Sequence, residues 1–226
     1  IHVRRINQCN QVEWAKQFTT VQPNKHNGGC GSSNYGSVSG GNVKVVKEGQ
    51  NLYIASNEGE KNKNALYIHK MGLHGKVKWK RKFAFPKKYV PDAYQSNLNI
   101  DLDNMVIGNN GYLVIVNQIE NCFDFLAHND EFFSIKVNPT NGKIINKTGF
   151  QRGKGENDTE PGIIKFTKNK FLMHGFSNVL FILNDTLGVE KAFQLKAKGE
   201  QVSWLKAVER LPNQKLVVLG SYDTLN

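Results

Sequence analysis

Few residues in this chain stand at spacings that carry chemistry by themselves. Gly29-Cys-Gly-Ser-Ser33 sets a thiol among glycines, which would suit a cysteine nucleophile if a helix followed to lower its pKa. Asn-Tyr-Gly and further glycines follow instead, a composition that disfavours a helix there. His69 and His74 flank a glycine turn and offer two imidazoles, but no third or fourth ligand stands nearby in sequence, so they read as a surface pair. Asp101-Leu-Asp103-Asn104 and His128-Asn-Asp-Glu131 carry oxygen ligands of the kind calcium takes, without the full spacing of a calcium loop. Asp101, Asp103, Asp124 and Glu131 are the acids that a glycoside hydrolase or lyase would draw on, and only their separations would decide that role. Nothing nominates a nucleophile. The expectation is therefore no catalytic residue, no metal and no cofactor, with an enzyme as the lesser of two readings.

The cysteines constrain the compartment weakly. Cys9, Cys30 and Cys122 form no CxxC pair and cannot all pair internally; a Cys9–Cys30 disulfide stays open beside idle thiols. Three triplets, Asn146-Lys-Thr148, Asn157-Asp-Thr159 and Asn184-Asp-Thr186, match the glycosylation pattern, but an Asn-rich chain yields such triplets by chance. The 226 residues hold 30 Lys and Arg against 19 Asp and Glu, a net charge of +11, which favours an anionic partner through salt-screened attraction. The lysines read as scattered rather than striped and no nucleic-acid fingerprint accompanies them, so nucleic acid is disfavoured. The apolar runs are too short for a transmembrane helix. The chain opens on Ile with no leader pattern, as expected of a processed or excised chain.

The elements that must position these residues are almost all strands. Short runs of Val, Ile, Leu, Phe and Tyr alternate with turn clusters. Three stretches share one spacing: Val12, Trp14, Phe18; Val77, Trp79, Phe83; and Ile144, Asn146, Phe150. Val189, Lys191, Leu195 is a degenerate fourth. The last three follow a turn, Met71-Gly-Leu-His-Gly75, Asn138-Pro-Thr-Asn-Gly142 and Asn184-Asp-Thr-Leu-Gly188, and each turn follows an alternating strand. A second hairpin stands upstream in each unit, as in Val43-Lys-Val-Val46 followed by Leu52-Tyr-Ile-Ala55. Four antiparallel strands per repeat is the anatomy of a propeller blade.

Gly111-Tyr-Leu-Val-Ile-Val116, Asp130-Glu-Phe-Phe-Ser-Ile-Lys136, Asn141-Gly-Lys-Ile144 and Gly75-Lys-Val-Lys-Trp-Lys-Arg-Lys-Phe83 together resemble bacterial propeller repeats of the delta-60 or quinoprotein-like type. The resemblance covers about residues 43 to 223 and implies a β-propeller. It is also similar to exported surface proteins of Bacteroidetes-type bacteria, which implies a secreted or cell-surface location. Trp is absent from the third and fourth copies, so neither a nested tryptophan-docking set nor a quinone site can be traced.

The expected fold is all-β, a β-propeller of four-stranded antiparallel blades within a single region, 1–226. Residues 12–19 form a lone outer strand of a preceding blade; 43–85, 103–150 and 162–195 are whole blades; 204–223 is a partial one. That is about three and a half blades, where a closed ring takes four to eight, so the chain reads as a fragment whose remaining blades belong to a longer parent; a compact four-unit variant is the runner-up.

In such a meander the a–b and c–d turns lie on one face and the other connections on the opposite face. The a–b and c–d turns are short, while 20–42, 57–64, 86–102, 117–130 and 151–161 are long. Long loops on one side of a rigid scaffold are where binding resides. They offer Lys87, Lys88, Tyr89, Tyr94, Phe123, Asp124, Arg152 and Lys154 as candidate ligand-binding residues, aromatics and charges suited to stacking and ion pairing with a protein or anionic glycan. The leading expectation is a non-catalytic binding module. A polysaccharide-processing propeller enzyme and a scaffold subunit of a surface or secretion complex are the alternatives.

Overall fold

The computed structural model describes residues 2–17, 43–60, 63–84, 98–108, 111–121, 131–151, 162–176, 179–197 and 200–222. These residues are all-β, as expected, and three of their sheets are four-stranded and antiparallel. The first runs β3 (Val43–Glu48), β4 (Asn51–Glu60), β5 (Lys63–Gly72), β6 (Val77–Ala84). The second runs β7 (Leu98–Ile107), β8 (Leu113–Asn121), β9 (Glu131–Val137), β10 (Ile144–Gln151). The third runs β11 (Gly162–Thr167), β12 (Lys170–Phe176), β13 (Val179–Leu183), β14 (Val189–Gln194). Strand order follows chain order in each, because every connection joins adjacent antiparallel strands.

A smaller sheet stands before and after these. β1 (His2–Ile6) pairs with β2 (Val12–Gln17), and β15 (Lys196–Ala197), β16 (Glu200–Arg210) and β17 (Leu216–Tyr222) form a three-stranded sheet. The lone outer strand expected at 12–19 is thus half of a hairpin. Its partner, His-Val-Arg-Arg-Ile, carries two arginines and a histidine in five residues, so the usual apolar strand signal is weak.

The sheets pack face to face in chain order. Tyr53, Ala55, Leu66 and Ile68 of the first four-stranded sheet meet Leu102, Met105, Leu113 and Ile115 of the second. The alternate residue Val114 points the other way, against Ile163, Phe171 and Met173 of the third. Leu172 and Leu180 then meet Leu205 and Val208 on β16, while Ile54 and Met71 meet Trp14 on β2. Period-two alternation therefore feeds two cores at once, and the second strand of each four-stranded sheet, β4, β8 or β12, places apolar residues on both faces. Leu66, Ile68, Leu113 and Ile115 are fully buried, each worth about 1.5–3 kcal/mol of burial. The first strands of neighbouring sheets approach one another, β3 beside β7, β7 beside β11 and β11 beside β16.

Two of the expected long loops are partly strand. The β4–β5 ladder continues to Glu60 opposite Lys63, through the stretch expected as a 57–64 loop. The β7–β8 ladder begins at Leu98 opposite Asn121, so 98–102 and 117–121 are paired as well. Main-chain bonds hold these polar stretches together, which is why their side chains look like loop.

Candidate functional site

The connections sort by end. Tight turns join β3 to β4, β5 to β6, β7 to β8, β9 to β10, β11 to β12, β13 to β14 and β16 to β17 at one end of the sheets. The chain between β2 and β3, β6 and β7, β8 and β9, and β10 and β11 leaves from the other end and is long in each case. All eight candidate ligand-binding residues belong to those connections: Lys87, Lys88, Tyr89 and Tyr94 after β6, Phe123 and Asp124 after β8, Arg152 and Lys154 after β10. They lie outside the described residues, as do Cys30, Cys122 and His128. Of the remaining candidate acids, Asp101 and Asp103 stand on β7 and Glu131 opens β9, opposite Ile119.

At the tight-turn end the sheets are joined by a repeated polar contact. Trp14 and Arg5, cross-strand neighbours on β2 and β1, both donate to the carbonyl of Leu73 in the next sheet's β5–β6 turn, at 2.7 and 3.1 Å. Trp79 and Lys70 stand opposite each other on β6 and β5 and both donate to the Pro139 carbonyl of the β9–β10 turn, at 3.1 and 2.8 Å. Asn146 and Lys136 repeat the pattern, Asn146 Nδ2 donating to Thr186 O and Lys136 Nζ to Asp185 O at 2.7 Å. A docking set is therefore present that the loss of Trp from the third copy concealed: an asparagine amide takes the place of the indole N–H, because the acceptor is a main-chain oxygen.

Glycine makes room for the indoles. Gly75 has φ +81 and lies under Trp14; Gly142 has φ +72, and a Cβ there would come within 2.9 Å of the Trp79 ring and 2.6 Å of Arg81 Cγ. These residues supply both the left-handed conformation of the turn and the flat seat for the ring. The cations also stack. Lys70 Nζ lies 5.2 Å from the Tyr53 ring and Lys136 Nζ 4.6 Å from that of Tyr112. Lys136 is buried and pairs with Asp185 Oδ1 at 2.8 Å. Burial, with the neighbouring Lys78 charge, lowers the Lys70 pKa, opposed by Glu48. Burial and then Glu48, which accepts the Tyr53 hydroxyl, push the Tyr53 pKa up to about 12.

The histidines divide otherwise than as a surface pair. His74 is exposed in the β5–β6 turn, while His69 on β5 is buried. Burial, then the Lys80 charge, lowers its pKa to about 4. His174 on β12 is also buried, and burial lowers it to about 4. Both are therefore neutral at pH 7. Among the described residues no three His, Cys, Asp or Glu side chains gather where a metal could be held. Cys9 is an exposed thiol in the β1–β2 turn.

Charge is locally striped after all. Lys76, Lys78, Lys80 and Lys82 alternate along β6 and its preceding turn and are all exposed. Lys80 and Lys82 lie 4.4 and 5.5 Å from the Tyr67 ring, and Lys78 bonds Asn51 Oδ1 at 2.6 Å. On an outer strand this row discourages unwanted edge pairing and gives the first four-stranded sheet a cationic flank.

No family model matches the chain, and no curated protein does. Among solved structures it is similar to the crystal structure of BamB from Moraxella catarrhalis, with 13% identity and a TM-score of 0.38 over 92% of this chain. The chain spans 63% of that protein's length.

Proposed function

We propose that the chain is an arc of a β-propeller, secreted or at the cell surface, that binds an acidic protein segment or an anionic glycan without transforming it. The observation that carries this is the sorting of connections: every long one leaves the sheets at one end, while the other end is closed by tight turns and inter-sheet contacts. A rigid stack with its variable segments gathered on one side is a binding scaffold. Lys87, Lys88, Tyr89, Tyr94, Phe123, Asp124, Arg152 and Lys154 are the residues of that side which would meet the partner. A net charge of +11 sets the partner's sign. Blades beyond this arc complete the ring.

The test is titration of the purified chain with heparin-like and alginate-like polysaccharides and with a polyglutamate peptide, alongside turnover assays on the same polysaccharides. Saturable binding without product, lost on changing Lys87, Lys88 and Arg152 to Glu, is the expected result. Turnover abolished by Asp124→Asn would replace the binding reading with a propeller enzyme. Absence of binding to every anion would end the loop-face reading.

A further inference from the structure

We propose that β6 accepts an extended acidic peptide segment as a fifth strand of the first four-stranded sheet, selected by a row of lysines that the other outer strands do not carry. β6 pairs with β5 along one edge and, among the described residues, with no strand along the other. Such an edge presents main-chain donors and acceptors to an added strand.

The two faces of β6 are set differently. Trp79 donates to Pro139 O, Arg81 Nε donates to Asn141 O at 3.0 Å, and Phe83 packs on the core shared with the second sheet. These contacts fix alternate residues of the strand. Lys80 and Lys82 lie on the opposite face, over the Tyr67 ring at 4.4 and 5.5 Å, and Lys78, next before Trp79, reaches Asn51 Oδ1 at 2.6 Å. All three lysines are exposed. Alternate residues of a strand recur about every 6.6–6.8 Å, so the lysines repeat at the period at which a paired strand presents its own side chains.

The fold does not ask for this row. At the positions just before, just after and three after the docking residue, β2 has Glu13, Ala15 and Gln17, β10 has Ile145, Lys147 and Gly149, and β14 has Glu190, Ala192 and Gln194. β10 and β14 hold the same fourth place in their sheets as β6 does, and β14 does so with one acid and no base at these positions. Protection of an edge therefore does not account for three lysines. Opposite charges across a strand pair stabilise the ladder and like charges oppose it, so the row admits an acidic strand and rejects a basic one. Trp79 and Phe83 are half-buried, and the residues facing them from an added strand would be apolar. The partner is thus a segment that alternates acidic and apolar residues. A polysaccharide would meet the charges alone, whereas a strand also pairs with the main chain of the edge.

The probe is the fluorescent peptide Glu-Val-Glu-Val-Glu-Val-Glu, titrated into the purified chain and read by polarisation. Saturable binding is expected, at least ten-fold tighter than for a peptide of the same composition with its acids contiguous, and abolished by methylating one of the two alternate sets of its main-chain nitrogens. Lys80→Glu with Lys82→Glu should abolish it and confer binding of Lys-Val-Lys-Val-Lys-Val-Lys, a gain that an unfolded variant would not show. No binding, or equal binding of the contiguous peptide and of both methylated peptides, overturns the inference; the second result leaves a polyanion surface without strand addition. The proposal does not rest on the loop-face reading, and Lys87→Glu with Lys88→Glu separates the two. Peptide binding should survive that change. Its loss would assign the peptide to the loop face and overturn the strand addition, whereas loss of polysaccharide binding alone bears only on the loop face.

Discussion

The indole of Trp79 lies against Gly142 of the neighbouring sheet and donates to the Pro139 carbonyl at 3.1 Å, where Lys70 donates too. Ring, glycine and carbonyl form one joint between two sheets. Trp79→Phe keeps most of the ring and removes the donor, so a loss of about 1 kcal/mol is expected; Trp79→Ala also opens a cavity and should cost about 3–5 kcal/mol. Denaturant unfolding monitored by circular dichroism measures both.

Gly142→Ala meets the ring and Arg81 in a left-handed turn, so it should cost more than the roughly 1–2 kcal/mol of backbone strain alone. Gly49 has φ +52 and nothing within 4 Å of a Cβ, so Gly49→Ala reports the backbone part by itself. Equal losses at the two sites, read by thermal melting, would show that the indole seat contributes nothing.

Lys136 is buried with Asp185 as its partner. Lys136→Met preserves stem volume and removes the ammonium, and its cost should stay within about 1–2 kcal/mol. Asp185→Ala leaves the ammonium with the main-chain carbonyl and the Tyr112 ring, and because Asp185 is part-exposed the loss should be about 1–2 kcal/mol. If the pair is coupled, the double change costs less than the sum, which a double-mutant cycle reads directly.

His69 and His174 give the fold an acid limit. Their pKa values lie near 4 in the folded state and about 6.5 when unfolded, so the unfolded chain takes up protons first as pH falls. Their contribution is full above about pH 6.5 and is lost progressively toward pH 4, on the order of 2 kcal/mol for each histidine. Urea midpoints at pH 7.5 and 5 should differ accordingly, and His174→Gln should flatten that difference.

The loop-face reading predicts a salt signature, because screening weakens attraction between opposite charges. Polyanion affinity should fall several-fold between 50 and 300 mM salt as screening grows. Lys87→Glu with Lys88→Glu should weaken it at least ten-fold while leaving the melting temperature within about 2 °C. Isothermal titration with matched melting curves checks both statements.

Much of the fold is legible in the sequence because its hairpins announce themselves. Gly75, Gly142 and Asn184-Asp-Thr-Leu-Gly188 mark turns between alternating strands, and a fixed spacing repeats. Where pairing is main-chain only, the signal fades. Asn57-Glu-Gly-Glu60 and Lys63-Asn64 look like loop and are ladder. The joints are half legible: Trp14 and Trp79 stand out, whereas Asn146 matches a chance glycosylation triplet and is instead docked on Thr186. Asn184, in another such triplet, braces its own turn. The proposed binding side is legible only as a topological consequence, since its eight candidates fall in the long connections outside the described residues.

Each joint accepts its hydrogen bonds on a peptide oxygen, and Leu73, Pro139, Asp185 and Thr186 serve equally in that role. A coupling addressed to the backbone asks almost nothing of the side chain that presents it. Such units can be duplicated, drift apart and still fit their neighbours without compensating changes, which makes the array a modular part that lengthens by simple copying.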